Sequence, residues 1–185
     1  MFNKFLILSA LSLSLIFTAC SDDDNAEEAN SMISGKEYAL KTLDNKTIKI
    51  HKEGNQYSIV GDKSKLVIFD LFATWCPPCR ATAPHLASLQ KKYPDDILIL
   101  GTTIETDKTN AQLKAFKEKY GANYTLVNGM DNLPLARSIA GSTGVGQSFP
   151  IPLMVMYKDG KYITHYVGAV QEEMIEADIK KALGK

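Results

Sequence analysis

Residues 65–80 read Lys-Leu-Val-Ile-Phe-Asp-Leu-Phe-Ala-Thr-Trp-Cys-Pro-Pro-Cys-Arg, and two kinds of local structure meet inside them. From 65 to 72 the run is almost continuously apolar and rich in β-favouring residues, the pattern of a strand buried on both faces. It ends at Trp75, the chain's only tryptophan. A helix is expected to start at Cys76 and Cys79 and to run through Leu86 and Leu89 toward Tyr93, kinked by Pro84. Cysteines with two residues between them at a helix start can close a small disulfide, and the helix N-terminus favours a thiolate there. Cys76, at the mouth, reads as the attacking sulfur, and Cys79, one turn inside, as the resolving one. The competing reading is half of a zinc site, but structural zinc takes four ligands. The chain has no second cysteine pair, and His51, His85 and His165 have no suitable partners. No metal and no cofactor is expected.

One residue interrupts the apolar run. Asp70 lies six positions before Cys76, where an isolated carboxylate costs several kcal/mol unless it is paired or protonated. Two readings stand. Asp70 has a raised pKa and serves, directly or through water, as the base that activates Cys79; or it is a structural carboxylate satisfied by backbone donors at the strand end.

Outward from this stretch, strands and helices alternate. Segments 38–42 and 47–52 flank Leu43-Asp44-Asn45-Lys46 as a hairpin, and 57–60 adds a short strand. Residues 97–104 (ILILGTTI) form a second buried strand. Residues 110–120 carry Leu113, Phe116 and Tyr120 at helical spacing amid lysines, an amphipathic helix with a solvated face that Gly121 ends. A short strand at 124–127 and a helix at 133–140 follow. Segments 153–157 and 162–167 flank Asp159-Gly160, a strong hairpin signal, and a helix over 171–183 closes the chain. The expected fold is α/β: a central mixed β-sheet flanked by helices, with an N-terminal β-hairpin extension and one core, over residues 37–185.

The remaining residues read as an address. Residues 1–19 have a charged start, an uncharged apolar run over 5–17 and a small-residue end. That run is shorter than the roughly 20 residues a spanning helix needs, so it reads as a secretory signal. Its small residues lead into Cys20, which resembles the lipobox of bacterial lipoproteins; Cys20 is then the acylated first residue of the mature chain, anchored to a membrane. Residues 20–36 are acidic and poor in apolar groups, a flexible tether. Three cysteines cannot make a disulfide framework. Basic and acidic side chains balance at 21 each, with no long basic run, so no footprint for nucleic acid exists.

The segment Phe72-Ala73-Thr74-Trp75-Cys76-Pro77-Pro78-Cys79-Arg80 resembles the active site of the thioredoxin-like TlpA, ResA and CcmG group of envelope thiol-disulfide oxidoreductases. Pro84, five residues after Cys79, the Ile151-Pro152 pair before an apolar strand, and Val167-Gly168-Ala169 before the last helix extend the likeness across most of the folded part. The resemblance implies a thioredoxin-like fold with a cis-proline opposite the cysteines. Counting back eight residues from Gly160 gives Pro152, with Pro150 as the competitor; the backbone of Ile151 would then meet an extended substrate. Trp75, Pro77 and Pro78 would form the rest of the substrate contact. Asp70 is similar to the buried Asp of thioredoxins, where the closer group more often has Asn. The resemblance further implies protein disulfide substrates, a monomer facing the periplasm, a membrane electron donor of the DsbD or CcdA type, and a reductase role that supports cytochrome c maturation.

Direction of electron flow is not written in the cysteine pair itself. A Pro-Pro dipeptide gives a rigid first turn with few donors to a thiolate, which argues against a strong oxidant. A DsbA-like oxidase would carry a large helical insertion, and 104–151 has room for two short helices and a strand. A Sco-type copper module would space its cysteines by three residues. A peroxidase would need Thr three positions before Cys76, where Ala73 stands. Glu105 falls where some relatives keep an acidic residue near the site, but by its neighbours it reads as a solvated loop charge. His85 reads as a surface or packing histidine.

Overall fold

The computed structural model describes residues 35–62, 64 and 66–185. The signal segment, Cys20 and nearly all of the tether lie outside the described residues. Strand β1, Lys36–Lys41, begins one residue before the boundary read from composition, and pairs antiparallel with β2, Thr47–Glu53. The hairpin is completed by β3, Gln56–Ile59, into a three-stranded sheet in the order β1-β2-β3.

The main sheet is built from β4 (Leu66–Phe72), β5 (Ile97–Thr103), β6 (Thr125–Val127), β7 (Leu153–Lys158) and β8 (Lys161–Val167), in the order β6-β5-β4-β7-β8. Strands β4, β5 and β6 are parallel; β7 and β8 run against them. All seven residues of β4 are buried, as a central strand covered on both faces requires. The β7–β8 turn places Asp159 at φ 49° and Gly160 at φ 77°, the left-handed pair that a two-residue hairpin of this twist needs.

Because side chains alternate along β4, they feed two cores. Leu66, Ile68 and Phe72 face helices α1 (Pro77–Lys92), α2 (Asn110–Tyr120) and α4 (Glu172–Leu183), through Leu86 and Leu89, Leu113 and Phe116, and Ile175 and Ile179. Val67, Phe69 and Leu71 face the other way, against Leu135 and Ile139 of α3 (Asn132–Ser142) and against Tyr38, Leu40, Ile50 and Tyr57 of the small sheet. Each such side chain contributes roughly 1.5–3 kcal/mol on burial. The small sheet is thus a wall of the second core. It is tied to the main sheet by the Thr42–Val127 bridge and by the Tyr57 N–H donating to the Gly160 carbonyl at 2.8 Å.

Helix α2 starts with a capping box between Thr109 and Gln112 and ends at Gly121, whose φ of 66° is the left-handed cap that glycine adopts without strain. Helix α1 runs unbroken through Pro84. With β4 and β5 parallel, and Leu153 of β7 opposite Leu71, the loops after β4 and β5 and the loop before β7 gather at one end of the sheet. That end is where ligand sites form in α/β folds.

Candidate active site

Three residues after β4 the chain turns, with the Cys76 N–H donating to the Ala73 carbonyl at 3.2 Å, and Cys76 becomes the N-cap of α1. Proline is tolerated in the first turn of a helix because the N–H groups there have no intrahelical acceptor. Pro77 and Pro78 occupy its first two positions, so the first N–H free to cap is that of Cys79, which donates to Cys76 Sγ at 3.2 Å. The next, on Arg80, goes to the Cys76 carbonyl.

Cys76 and Cys79 are joined as a disulfide with their Cα atoms 5.3 Å apart. Both residues are buried, at 2% and 4% exposure, so in the closed disulfide accessibility does not separate the sulfur at the mouth from the one inside. Both lie in one core cluster with Ala83 and Leu86, and what separates them is the cap: Cys76 Sγ accepts the Cys79 N–H. Around them Trp75 is 60% exposed, and Pro77 and Pro78 are exposed as well. The Ile151–Pro152 peptide is cis, and the Ile151 carbonyl oxygen lies 3.8 Å from Cys76 Sγ. The Pro152 carbonyl accepts from the Gly168 N–H at 2.8 Å, which fixes the loop before β7 to the end of β8.

Glu105 is not a solvated loop charge. Its side chain is 8% exposed, and its carboxylate accepts from the Thr74 N–H at 2.6 Å and from the Thr74 hydroxyl at 3.1 Å, with Lys108 Nζ at 3.3 Å. Arg80 holds the same loop from the other side, its Nε–H donating to the Thr74 carbonyl at 2.8 Å while its guanidinium lies over the Tyr120 ring. His85 is exposed and meets Glu172 of α4, away from this chemistry.

Asp70 is 3% exposed and lies on the β4 face that Ile68 and Phe72 share with the Cys79 cluster. Burial pushes its pKa up from 3.8 to about 7, opposed by the hydrogen bond it accepts from the Tyr124 hydroxyl at 2.8 Å. Its partner is therefore a side chain and not the backbone donors of the structural alternative. Burial together with the Asp70 carboxyl raises the Tyr124 phenol well above its usual range. Sequence reading placed Tyr124 only at a strand start and gave it no part in the site. No group of three His, Cys, Asp or Glu side chains that could hold a metal ion occurs among the described residues. No described helix is long and apolar enough to cross a membrane.

The sequence model of the Thioredoxin family matches residues 47–117, which take in β4, the cysteine pair and β5. The thiol-disulfide oxidoreductase ResA of Bacillus thuringiensis (strain Al Hakam) is 28% identical over 130 residues, 70% of this chain and 70% of that protein. In three dimensions the fold is shared with a thiol:disulfide interchange protein of the thioredoxin family from Chlorobium tepidum TLS, at 22% identity and a TM-score of 0.60, covering 82% of this chain and 96% of that one. It is shared also with a secreted Mycobacterium tuberculosis disulfide oxidoreductase homologous to DsbE, at 21% identity and a TM-score of 0.54, covering 78% and 95%. A capped cysteine pair at the start of α1, on a thioredoxin-like sheet and in a chain with this likeness to ResA, makes the protein a thioredoxin-fold thiol-disulfide oxidoreductase similar to ResA.

Proposed function

We propose that the protein is a disulfide reductase tethered to a membrane and facing the periplasm, where it reduces disulfides of other proteins. The observation that carries the direction is the first turn of α1. Pro77 and Pro78 supply no N–H, so Cys76 Sγ has the single backbone donor of Cys79. A thiolate stabilised by few donors leaves the reduced form without the extra stability that makes a strong oxidant.

In the reaction, the Cys76 thiolate attacks a substrate disulfide and a mixed disulfide forms, releasing the first substrate sulfur as thiolate. Asp70, as carboxylate, takes the proton of Cys79. The Cys79 thiolate then attacks Cys76 Sγ, forming the Cys76–Cys79 disulfide and releasing the second substrate sulfur with its electron pair. Substrate lies along the Ile151 backbone, between the exposed Trp75 and the Pro77-Pro78 turn. Two electrons have left the dithiol, so a membrane donor of the DsbD or CcdA type must restore it. Support of cytochrome c maturation, in which haem-attachment cysteines are kept reduced, fits this direction. The protein acts as a monomer without cofactor or nucleic acid. Residues 1–19 act as a signal, acylated Cys20 as the anchor, 20–36 as the tether and 37–185 as the working domain.

Equilibration of the full chain with glutathione tests the direction. The expected potential lies nearer the thioredoxin value of about −270 mV than the DsbA value of about −120 mV. A potential at the DsbA end overturns the reductase reading.

A further inference from the structure

Among the described residues Asp70 is the one charged residue buried as a whole, backbone and side chain together; Thr82, Thr102, Thr103 and Asn132 are the other buried polar residues. Its neighbours in the sheet are Gly101 of β5 and Met154 of β7, neither of which offers a side-chain donor. The titratable groups of the surrounding core are the two active-site cysteines and Tyr93 on α1, Tyr124, and Tyr166 on β8. Tyr93 donates to Glu176 and Tyr166 to Asp178, both on α4. Only the Tyr124 hydroxyl reaches Asp70.

That reach depends on a missing side chain. A Cβ at Gly101 would stand 2.8 Å from Cε2 of Tyr124 and would also press on Leu126, so the bare backbone of β5 is what admits the ring. From below, Lys117 Nζ donates to the Tyr124 carbonyl at 3.0 Å, and the Tyr124 N–H donates to the Ala122 carbonyl at 2.8 Å, fixing the residue from which the ring projects.

We infer that Tyr124 is a positioning residue of the reaction, seated over Gly101 so that its hydroxyl orients the Asp70 carboxylate and sets the pH at which that carboxylate can accept the Cys79 proton. The inference rests on the assignment of Asp70 as the base. A donor to the charged form favours ionisation; without it the carboxyl stays protonated to higher pH. The step itself is unchanged: the Cys79 S–H proton goes to an Asp70 oxygen, the new S–S bond forms at Cys76, and the substrate thiolate leaves.

Two readouts on the full chain test this. The first is the carboxyl ionisation of Asp70, followed by 13C NMR of aspartate-labelled protein. The second is the pH profile of the second thionitrobenzoate release when the reduced protein meets a thionitrobenzoate disulfide, which reports resolution by Cys79. Tyr124→Phe keeps the ring and removes the donor. Both inflections are expected to rise by about one pH unit, slowing resolution about tenfold below the inflection. Replacement of Tyr124 by 3-fluorotyrosine, a similar ring with a stronger donor, should move both the other way, and it serves if the Phe variant does not fold. An Asp70 ionisation that stays in place in these variants overturns the role of Tyr124. An ionisation that moves while the release profile does not upholds the Tyr124 contact and overturns Asp70 as the base.

Discussion

Glu105, two residues past the end of β5, reaches across to Thr74 and accepts from both its N–H, at 2.6 Å, and its hydroxyl, at 3.1 Å. Thr74 stands two residues before Cys76, and its carbonyl is held at the same time by Arg80 of α1. The loop that aims Trp75 and Cys76 is therefore clamped by Glu105 on one side and Arg80 on the other.

Removing the acid half of this clamp leaves a part-buried N–H without its acceptor. Glu105→Ala is expected to cost about 1–3 kcal/mol in urea unfolding and to lower the rate of attack by Cys76. Glu105→Gln keeps an acceptor and should recover most of the stability. Equal stability of parent and Ala variant would show that the clamp contributes nothing.

The buried carboxylate makes a prediction in pH. The folded pKa of Asp70, about 7, lies above its unfolded value of 3.8, so the folded state holds the proton more tightly. The stability linked to that proton is complete below pH 3.8 and is lost as pH rises through about 7. The window corresponds to about 4 kcal/mol at most, taken at 1.36 kcal/mol per pH unit. In Asp70→Asn, with the disulfide closed in both proteins, this loss should disappear. Unfolding free energies compared at about pH 4 and about pH 8 should then diverge, with the variant favoured at the alkaline end. Parallel pH curves for the two proteins would be incompatible with a raised Asp70 pKa.

How much of this was legible in the chain depends on the range of the interaction. The KLVIFDLF run, the Asp159-Gly160 turn and the Leu113, Phe116 and Tyr120 spacing are local signals, and β4, the β7–β8 hairpin and α2 formed where they pointed. The cysteines at the head of α1 are equally local, since a cap and its helix are adjacent in sequence. The Tyr124–Asp70 bond spans 54 residues and the Glu105–Thr74 bond 31, and each forms only because parallel strands bring distant loops to one end or one face. Periodicity carries no information about such pairs, which is why Glu105 read as a solvated charge. One local trace existed for the first of them: Gly101 in the middle of the apolar ILILGTT strand, where a glycine marks another group coming close.

The proline turn predicts a redox shift. Pro78→Ala restores the N–H at the second helical position, giving Cys76 Sγ a second donor. A donor of this kind is worth about 0.3–1 kcal/mol to a thiolate at a helix N-terminus, which corresponds to roughly 5–20 mV for a two-electron couple. The potential should become less negative by that amount and the Cys76 thiolate should persist to lower pH. A shift in the negative direction would remove the first-turn argument for a reductant.

The division of labour between the sulfurs is tested by trapping. Cys79→Ser should accumulate a mixed disulfide on Cys76 when challenged with a disulfide-bonded protein, visible as a reducible adduct by mass spectrometry. Cys76→Ser should form none and lose turnover to background. Adducts of comparable yield on both variants would mean that the capped position of Cys76 does not choose the attacker.

Gly101→Ala offers a test in which the sign alone decides. Where a glycine has space and an ordinary φ, alanine stabilises a protein by about 0.4–1 kcal/mol, because the unfolded chain loses freedom. Gly101 has no left-handed φ, so that gain is open to it. Its Cβ, however, would stand 2.8 Å from the Tyr124 ring and would press on Leu126, and both residues are buried. Overpacking of this kind costs about 1–3 kcal/mol, which exceeds the entropic gain. The variant should therefore be less stable than the parent. Because the ring is pushed off Asp70, the carboxyl should also titrate higher, as in Tyr124→Phe. A Gly101→Ala protein that is more stable than the parent would mean that β5 has space for the methyl group, and that the close seat of Tyr124 over the strand does not set its reach to Asp70.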